Sequence, residues 1–490
     1  MNPFNESEEG TFPTPAQTRW IVTALLLYFA ARLVYFATTI SPDIPPDEVT
    51  HFGVCTVFAK YLLFPGNSPD SYQYGLVTNI PWLYYWAMGK LLWLNVTGLP
   101  DLVFLRLANI PIAFGTVWYA CRLLRLLTGS RLALILMTVA MTNTLMFTFL
   151  SASVSYDNLA NLFAAMAIYY LFAFFREGSV PKLALWLLSL FAGCLTKITF
   201  LPLALFLVLL FLVRAPRRLG VMLPALRLHL KRPGTGGLVL LAGLALGLAL
   251  NLQLYGGNEL KYGTVNPAVE TVLPLEQAMN YRLTARNHIL SQYREGKITV
   301  EQAREMAQRI THPGDRQDAI ALVENYRYLQ QAGFRPLSLA PYSAMWVLQM
   351  LSTSFGIKAH VGMPNQGFAF IPLMFLILFV LASLVLRWRP WDLEWLPGSL
   401  MALALGYAAV LVLMINYPSY LDSKDIVLSV AGRYLFPVMA PIYAVCSLYL
   451  PRLFRGGGGR LAVALLAALI LIGSDFPFFL YHVTPQWYGR

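Results

Sequence analysis

The chain has 490 residues; 57% are hydrophobic and only 12% charged, and the mean hydropathy is +0.58. Soluble domains carry about a quarter charged residues and under half apolar ones, so this composition excludes an ordinary soluble enzyme, a disordered chain and a fibrous repeat. It indicates an all-α polytopic membrane protein, and the net charge of +12 fits Lys and Arg anchoring loops at a lipid bilayer, with no call for nucleic acid.

Residues 1–19 read as a polar cytoplasmic tail carrying Glu6, Glu8 and Glu9. The first span runs from about Trp20 to Ile40. It lacks a small-residue cleavage site and runs into Pro-rich sequence, which predicts an anchor rather than a cleaved signal. Further apolar stretches at 103–124, 132–150, 158–175, 183–196, 199–213, 238–253, 367–386, 396–415, 434–450 and 461–480 predict about 11 transmembrane helices in all. They divide the chain into an N-terminal membrane module at 20–253 with a first outer loop at 41–102, an outer helical region at 254–366, and a C-terminal membrane module at 367–490.

Orientation follows from where the cations collect. Arg122, Arg125 and Arg131, then Arg176 and Lys182, then the run from Arg214 to Arg232, then Arg387 and Arg389, then Arg452, Arg455 and Arg460 occupy every second connection. That is the positive-inside pattern, and it predicts an N-in, C-out protein whose two long loops face outward. Residues 80–95, IPWLYYWAMGKLLWLN, are rich in Trp and Tyr and predict an interfacial helix rather than a further span. In the outer region, Thr299 and Gln302 form a capping box ahead of EQAREMAQRI, and Pro313-Gly314 separates it from a second helical stretch; together they predict a small outer helical hairpin. The four cysteines are far apart and the six histidines scattered, so no disulfide framework, zinc site or haem is expected.

The sharpest local signal follows the first span: Ser41-Pro-Asp-Ile-Pro-Pro-Asp-Glu-Val-Thr-His51. Pro45 and Pro46 hold the backbone extended ahead of Asp47 and Glu48, which delivers an acidic pair to the membrane surface. A carboxylate beside apolar surroundings is suited to act as a general base; a solvated acidic turn is the plainer alternative. Asp157 opens the fourth span after SASVS, where helix capping competes with a role as a second catalytic carboxylate. Lys90, Arg106, Lys197 and Arg433 lie on outer flanks, where cations are expected to be scarce. Snorkelling to lipid phosphate competes there with holding a phosphate leaving group, the latter favoured for Arg433 and Lys197. His51, one turn from Glu48, is read as a partner of the carboxylate, and Tyr434 as a second supporting residue. Arg32 lies within the first span with no partner evident from sequence.

PPDEVTHF after the first span, the IPWLYYW segment and LRLANIPIAFGTVWYACRLLRLL resemble the start of GT-C superfamily glycosyltransferases, such as protein O-mannosyltransferases and aminoarabinose transferases of bacterial envelopes. SYDNLANLFAAMAIYYL, LTKITFLPL and AGRYLFPVMAP resemble more closely a bacterial family known as domain of unknown function 2142. The resemblance implies a GT-C-like fold in the bacterial inner membrane. It implies a multi-pass enzyme of envelope biogenesis that takes a sugar from a polyprenyl-phosphate carrier and transfers it, on the extracytoplasmic face, to an envelope glycan, lipid or protein. It also implies that the acid of the first outer loop acts as base or acceptor contact. In the scheme expected from these residues, an inverting displacement, Asp47 is the base, Glu48 and Asp157 assist it, and Arg433, Lys197, Arg106 and Lys90 hold phosphate. No cofactor is required, while a divalent metal at Asp43 and Asp47 stays open. The alternatives are a transporter or flippase of envelope lipid or polysaccharide, and a non-catalytic assembly scaffold.

Overall fold

A computed structural model of the protein describes residues 13–66, 71–218, 220, 224, 234–310, 313–357, 395–426, 428, 430–454 and 456–483. Every regular element among them is helical. The helices before residue 215 are α1 (Pro15–Thr39), α2 (Glu48–Ala59), α3 (Leu83–Leu92), α4 (Asp101–Leu127), α5 (Arg131–Thr142), α6 (Leu145–Ser151), α7 (Tyr156–Glu177), α8 (Val180–Cys194) and α9 (Phe200–Arg214).

Seven helices are long and apolar enough to cross a membrane, and α5 with α6 forms an eighth if the pair, bent by 63°, is one span. The shorter apolar helices α8 and α9 bring the matches to ten of the eleven expected spans, and the expected span at 367–386 lies outside the described residues. With 15 residues each, α8 and α9 reach only about 22 Å, short of a hydrocarbon core of about 30 Å. The reason lies where they meet. Leu195, Thr196 and Lys197, which join them, are buried inside the protein, so the two helices stop at an internal polar point instead of at a surface.

Local sequence sets the helix ends. Thr14 and Gln17 cap α1 reciprocally and Pro15 occupies its first turn. Ser155 caps α7, and Gly178, at φ 69°, ends it. Apolar side chains of α1, α4, α5, α6 and α7 pack with those of the helices Leu339–Phe355, Trp395–Val410 and Met439–Tyr449 into one large core. A second cluster joins α2 and α3. Gly89 lets them cross closely, since a Cβ there would lie 2.8 Å from the Cys55 carbonyl oxygen.

Two expectations for the loops change. Pro45 and Pro46, expected as an extended arm at the membrane surface, are buried where the chain turns, and α2 begins immediately after Asp47, at Glu48. The expected helical hairpin is a three-helix unit. The capping box of Thr299 and Gln302 forms, and Pro313 starts the following helix, but Arg282–Arg294 adds a third member. Ala285 and Ile289 on that helix pack with Ala303, Ala307, Ala319 and Val323 into a core of their own. Sequence patterning missed it because RLTARNHILSQYR carries few apolar residues. The segment at 80–95 holds only the ten-residue α3, too short to span.

Candidate functional site

Three ion pairs converge where the first loop meets α4, α7, the α8–α9 link and the 3-10 turn Gly432–Val438. Each begins from a local feature of the chain. Asp47 is the N-cap of α2 with φ 60°, and its side chain makes no capping bond to that helix. Asp is one of the few residues that tolerate this left-handed backbone. Its carboxylate instead accepts from Arg433 Nη2 at 3.0 Å, a pair separated by 386 residues of chain. Arg433 is aimed by its neighbour. Gly432 donates its N–H to Thr353 and lies so close to the helix Leu339–Phe355 that a Cβ would meet Ser354 Oγ at 2.3 Å.

Glu48 and Arg106 form the second pair, with both groups buried. Arg106 Nε donates to Glu48 at 2.9 Å and Nη1 to the Ile40 and Ala37 carbonyls, while the Val154 N–H donates to Glu48 at 2.7 Å. These bonds tie the end of α1, the start of α2, α4 and the segment before α7 into one unit. Burial pushes the Glu48 carboxyl above its ordinary range, against the opposing pull of Arg106 and the Val154 N–H.

Lys197 and Asp157 form the third pair, also buried. Ser155, not Asp157, caps α7 through its hydroxyl, which leaves the Asp157 carboxylate to Lys197. The Lys197 ammonium lies 4.7 Å from the Tyr156 ring centre and 5.2 Å from that of Tyr434, caged between two aromatic faces. His51 Nδ1 sits 2.8 Å from the Tyr85 hydroxyl rather than against Glu48, and the ring meets Tyr156 edge-on at 4.4 Å. Burial pulls the His51 imidazole down to about 4, so it is neutral at physiological pH.

Asp47, Glu48, His51, Asp157, Lys197, Tyr434 and Arg433 are thus gathered at one place. Arg106 belongs there too, but its donors are engaged by Glu48 and by backbone. Lys90 is elsewhere: its ammonium donates to the carbonyls of Phe58 and Tyr61 and stacks over Trp93 at 4.2 Å, where a cation suits the C-terminal end of α2. Asp43 is exposed on the loop and Asp47 faces a guanidinium; among the described residues no group of three or more His, Cys, Asp or Glu side chains is placed to hold a metal ion.

Sequence reasoning missed Tyr85, Tyr156 and the partner of Arg32. Tyr156 is adjacent to the suspected Asp157, and Tyr85 lies in the segment already marked as interfacial. The partner of Arg32 is Asp475, at 2.9 Å. Arg32 Nη2 also takes the Thr142 carbonyl, freed where α5 breaks, while Thr148 on α6 donates to Asp475. The pair therefore grips both arms of the broken span.

No protein-family model matches the chain, and no curated protein sequence matches it. Among solved structures the chain is similar to the crystal structure of ArnT from Cupriavidus metallidurans in the apo state, with 14% identity, 89% of this chain and 78% of that one covered, and a TM-score of 0.37. The likeness is loose at that score, and the functional reading rests on the site's own residues.

Proposed function

We propose that the protein is an integral-membrane glycosyltransferase that moves a sugar from a polyprenyl-phosphate carrier to an envelope acceptor on the extracytoplasmic face. The observation that carries this reading is the contact between Asp47 and Arg433. It puts a partly exposed carboxylate and an arginine side by side, against a wall of Tyr156, Tyr434 and the buried Lys197–Asp157 pair. Transfer from a phosphate-linked sugar needs a base for the attacking hydroxyl and a cation for the phosphate that leaves. Both are present within one contact.

In this reading Asp47 accepts the proton of the acceptor hydroxyl as its oxygen bonds to the anomeric carbon. The bond from that carbon to the phosphate oxygen breaks, the anomeric configuration inverts, and the polyprenyl phosphate leaves on Arg433. A guanidinium suits this role because it presents two donors to one phosphate. Lys197 adds positive charge from beneath, Asp157 holds it there, and the Glu48–Arg106 pair fixes the loop that carries Asp47. The neutral His51–Tyr85 pair offers hydrogen bonding without charge beside the reacting groups. The prenyl tail would lie along the apolar helices, which accounts for a largely membrane-embedded chain around one polar site.

The test is genetic and chemical. Deletion of the protein should remove one sugar from the envelope glycans read by mass spectrometry. Wild-type protein should restore it, and Asp47→Asn should not. Restoration by Asp47→Asn at the wild-type level would overturn the assignment of the base.

A further inference from the structure

We propose that His51 reads the transferred sugar: its Nε2–H, fixed as the donor tautomer by Tyr85, hydrogen-bonds a hydroxyl oxygen of that sugar, beside the hydroxyls of Tyr156 and Tyr434. The inference rests on the glycosyltransferase reading above and assigns, within that site, the groups that meet the sugar rather than the phosphate.

The direction of one hydrogen bond settles which nitrogen of His51 carries the proton. His51 is buried in the first turn of α2, and its Nδ1 lies 2.8 Å from the hydroxyl of Tyr85, which is buried on α3. Among the described residues that hydroxyl has no other hydrogen-bond partner. A phenol with one partner gives its proton to it; were Nδ1 the donor, the Tyr85 O–H would be stranded without an acceptor. Nδ1 therefore accepts. Burial keeps the imidazole neutral, so its single proton sits on Nε2. That N–H is on the ring edge away from Tyr85, and it has no hydrogen-bond partner among the described residues. Unlike the unpartnered Nε1 of Trp186, it is not enclosed by protein. A buried side chain thus presents one uncharged donor to an open space.

The surroundings of the ring say what that donor meets. Asp47, Asp157, Arg433 and Lys197 stand near enough for their charges to act on it, and Tyr156 meets it edge-on at 4.4 Å. The four charges are committed to two ion pairs. Tyr156 and Tyr434 lend their ring faces to Lys197, but neither hydroxyl has a hydrogen-bond partner among the described residues. The unmet hydrogen-bonding capacity beside the cations is therefore uncharged: one imidazole N–H and two phenols. Phosphate is matched to the cations. Uncharged donors and acceptors set among aromatic rings are matched to a polyol, whose hydroxyls carry no charge and whose C–H faces lie against rings. A site built to bond a substrate hydroxyl also rejects an analogue that lacks it, which makes His51 a specificity-determining residue and Tyr85 its positioning residue.

Two readouts separate sugar from phosphate without knowledge of which sugar is moved. One is the initial rate, per folded protein, at which the missing sugar returns to the envelope glycans of a deletion strain after induction, followed by mass spectrometry. The other is binding of undecaprenyl phosphate to purified full-length protein in detergent. His51→Asn, whose amide reaches only the place of Nδ1, should slow the return of sugar by about 10-fold, the worth of a neutral hydrogen bond, and leave undecaprenyl phosphate binding unchanged. His51→Gln, whose longer side chain carries an N–H to the place of Nε2, should recover most of the rate. Tyr85→Phe removes the proton that fixes the tautomer, so it should slow the wild type and add nothing to His51→Asn. Equal losses in His51→Asn and His51→Gln would reduce His51 to packing and overturn the proposal, as would a Tyr85→Phe protein with the wild-type rate. Weakened undecaprenyl phosphate binding by His51→Asn would put Nε2 on the phosphate and overturn it too. A wild-type protein that binds no undecaprenyl phosphate, or a deletion that removes no sugar, would instead overturn the glycosyltransferase reading beneath it.

Discussion

At the scale of residues, the site sorts its charged groups by exposure. Asp47, the proposed base, is the most exposed of the three carboxylates, and its replacement by Asn preserves shape and tolerates the same backbone. Sugar transfer by Asp47→Asn should fall by about 100-fold or more, the usual worth of a general base, while the protein remains folded by thermal unfolding. Asp157 is a different case, since its partner is buried with it. Asp157→Asn or Lys197→Met alone should destabilise the protein by about 3–5 kcal/mol by stranding the other charge, and the double variant should regain most of that loss. Unfolding in detergent checks it; two single variants as stable as wild type would mean the pair is not desolvated. His51 sets a pH dependence. Its folded pKa, about 4, lies below the ordinary value of 6.5, so between those values the unfolded chain takes up a proton that the folded protein refuses. Stability should therefore fall as pH drops from about 6.5 towards 4, and His51→Gln should lessen the fall. An identical acid profile for the variant would remove His51 as the cause.

At the scale of elements, two close approaches hold the site together. One is Gly432 against the end of the helix Leu339–Phe355. Gly432→Ala adds a Cβ that meets backbone atoms of Met350 and Ser354 at 2.4 and 2.5 Å, so the turn must move and take Arg433 with it. Transfer should drop although every charged residue is intact, and binding of undecaprenyl phosphate should weaken in parallel. The other is the break between α5 and α6. Arg32 takes the carbonyl the break exposes, and Asp475 takes Thr148 on the far side. A buried ion pair of this kind marks a transport path in many membrane proteins. Here both groups are also tied to the two halves of one bent span, as a fastener would be. The three-helix unit attaches to the segment ahead of Arg433 through Arg294 on Asp422 and Lys424 over Tyr326. Both contacts fall shortly before the turn that carries Arg433.

At the scale of the whole molecule, the proposed reaction requires the first loop and the three-helix unit on one side of the membrane and the basic connections on the other. Cysteine at exposed Glu301 should react with an impermeant thiol reagent in intact cells, and cysteine at exposed Glu177 should not. The reverse pattern would place Asp47 in the cytoplasm and remove lipid-linked envelope sugars from consideration. The native cysteines give little background, since Cys55, Cys194 and Cys446 are buried and Cys121 is partly so.

What the sequence determined by itself was whatever depends on near neighbours in the chain. Runs of apolar residues located ten of the expected spans among the described residues, one of them the bent pair α5 and α6, because burial in lipid or protein core demands such runs over a fixed length. The Thr299–Gln302 box was legible for the same reason: a cap acts within four residues. Only the tertiary structure decided which charge meets which. Asp47 and Arg433 are 386 residues apart, and sequence alone gave none of the four flanking cations its partner: Lys90 meets the carbonyls at the end of α2, Arg106 staples the loop through Glu48, Lys197 is caged with Asp157 and Arg433 meets Asp47. The same holds for Arg32, whose partner stands at the far end of the chain. A buried charge must find its counter-ion in space, since low dielectric makes the unpaired state so costly; spacing along the chain places no limit on where that counter-ion comes from.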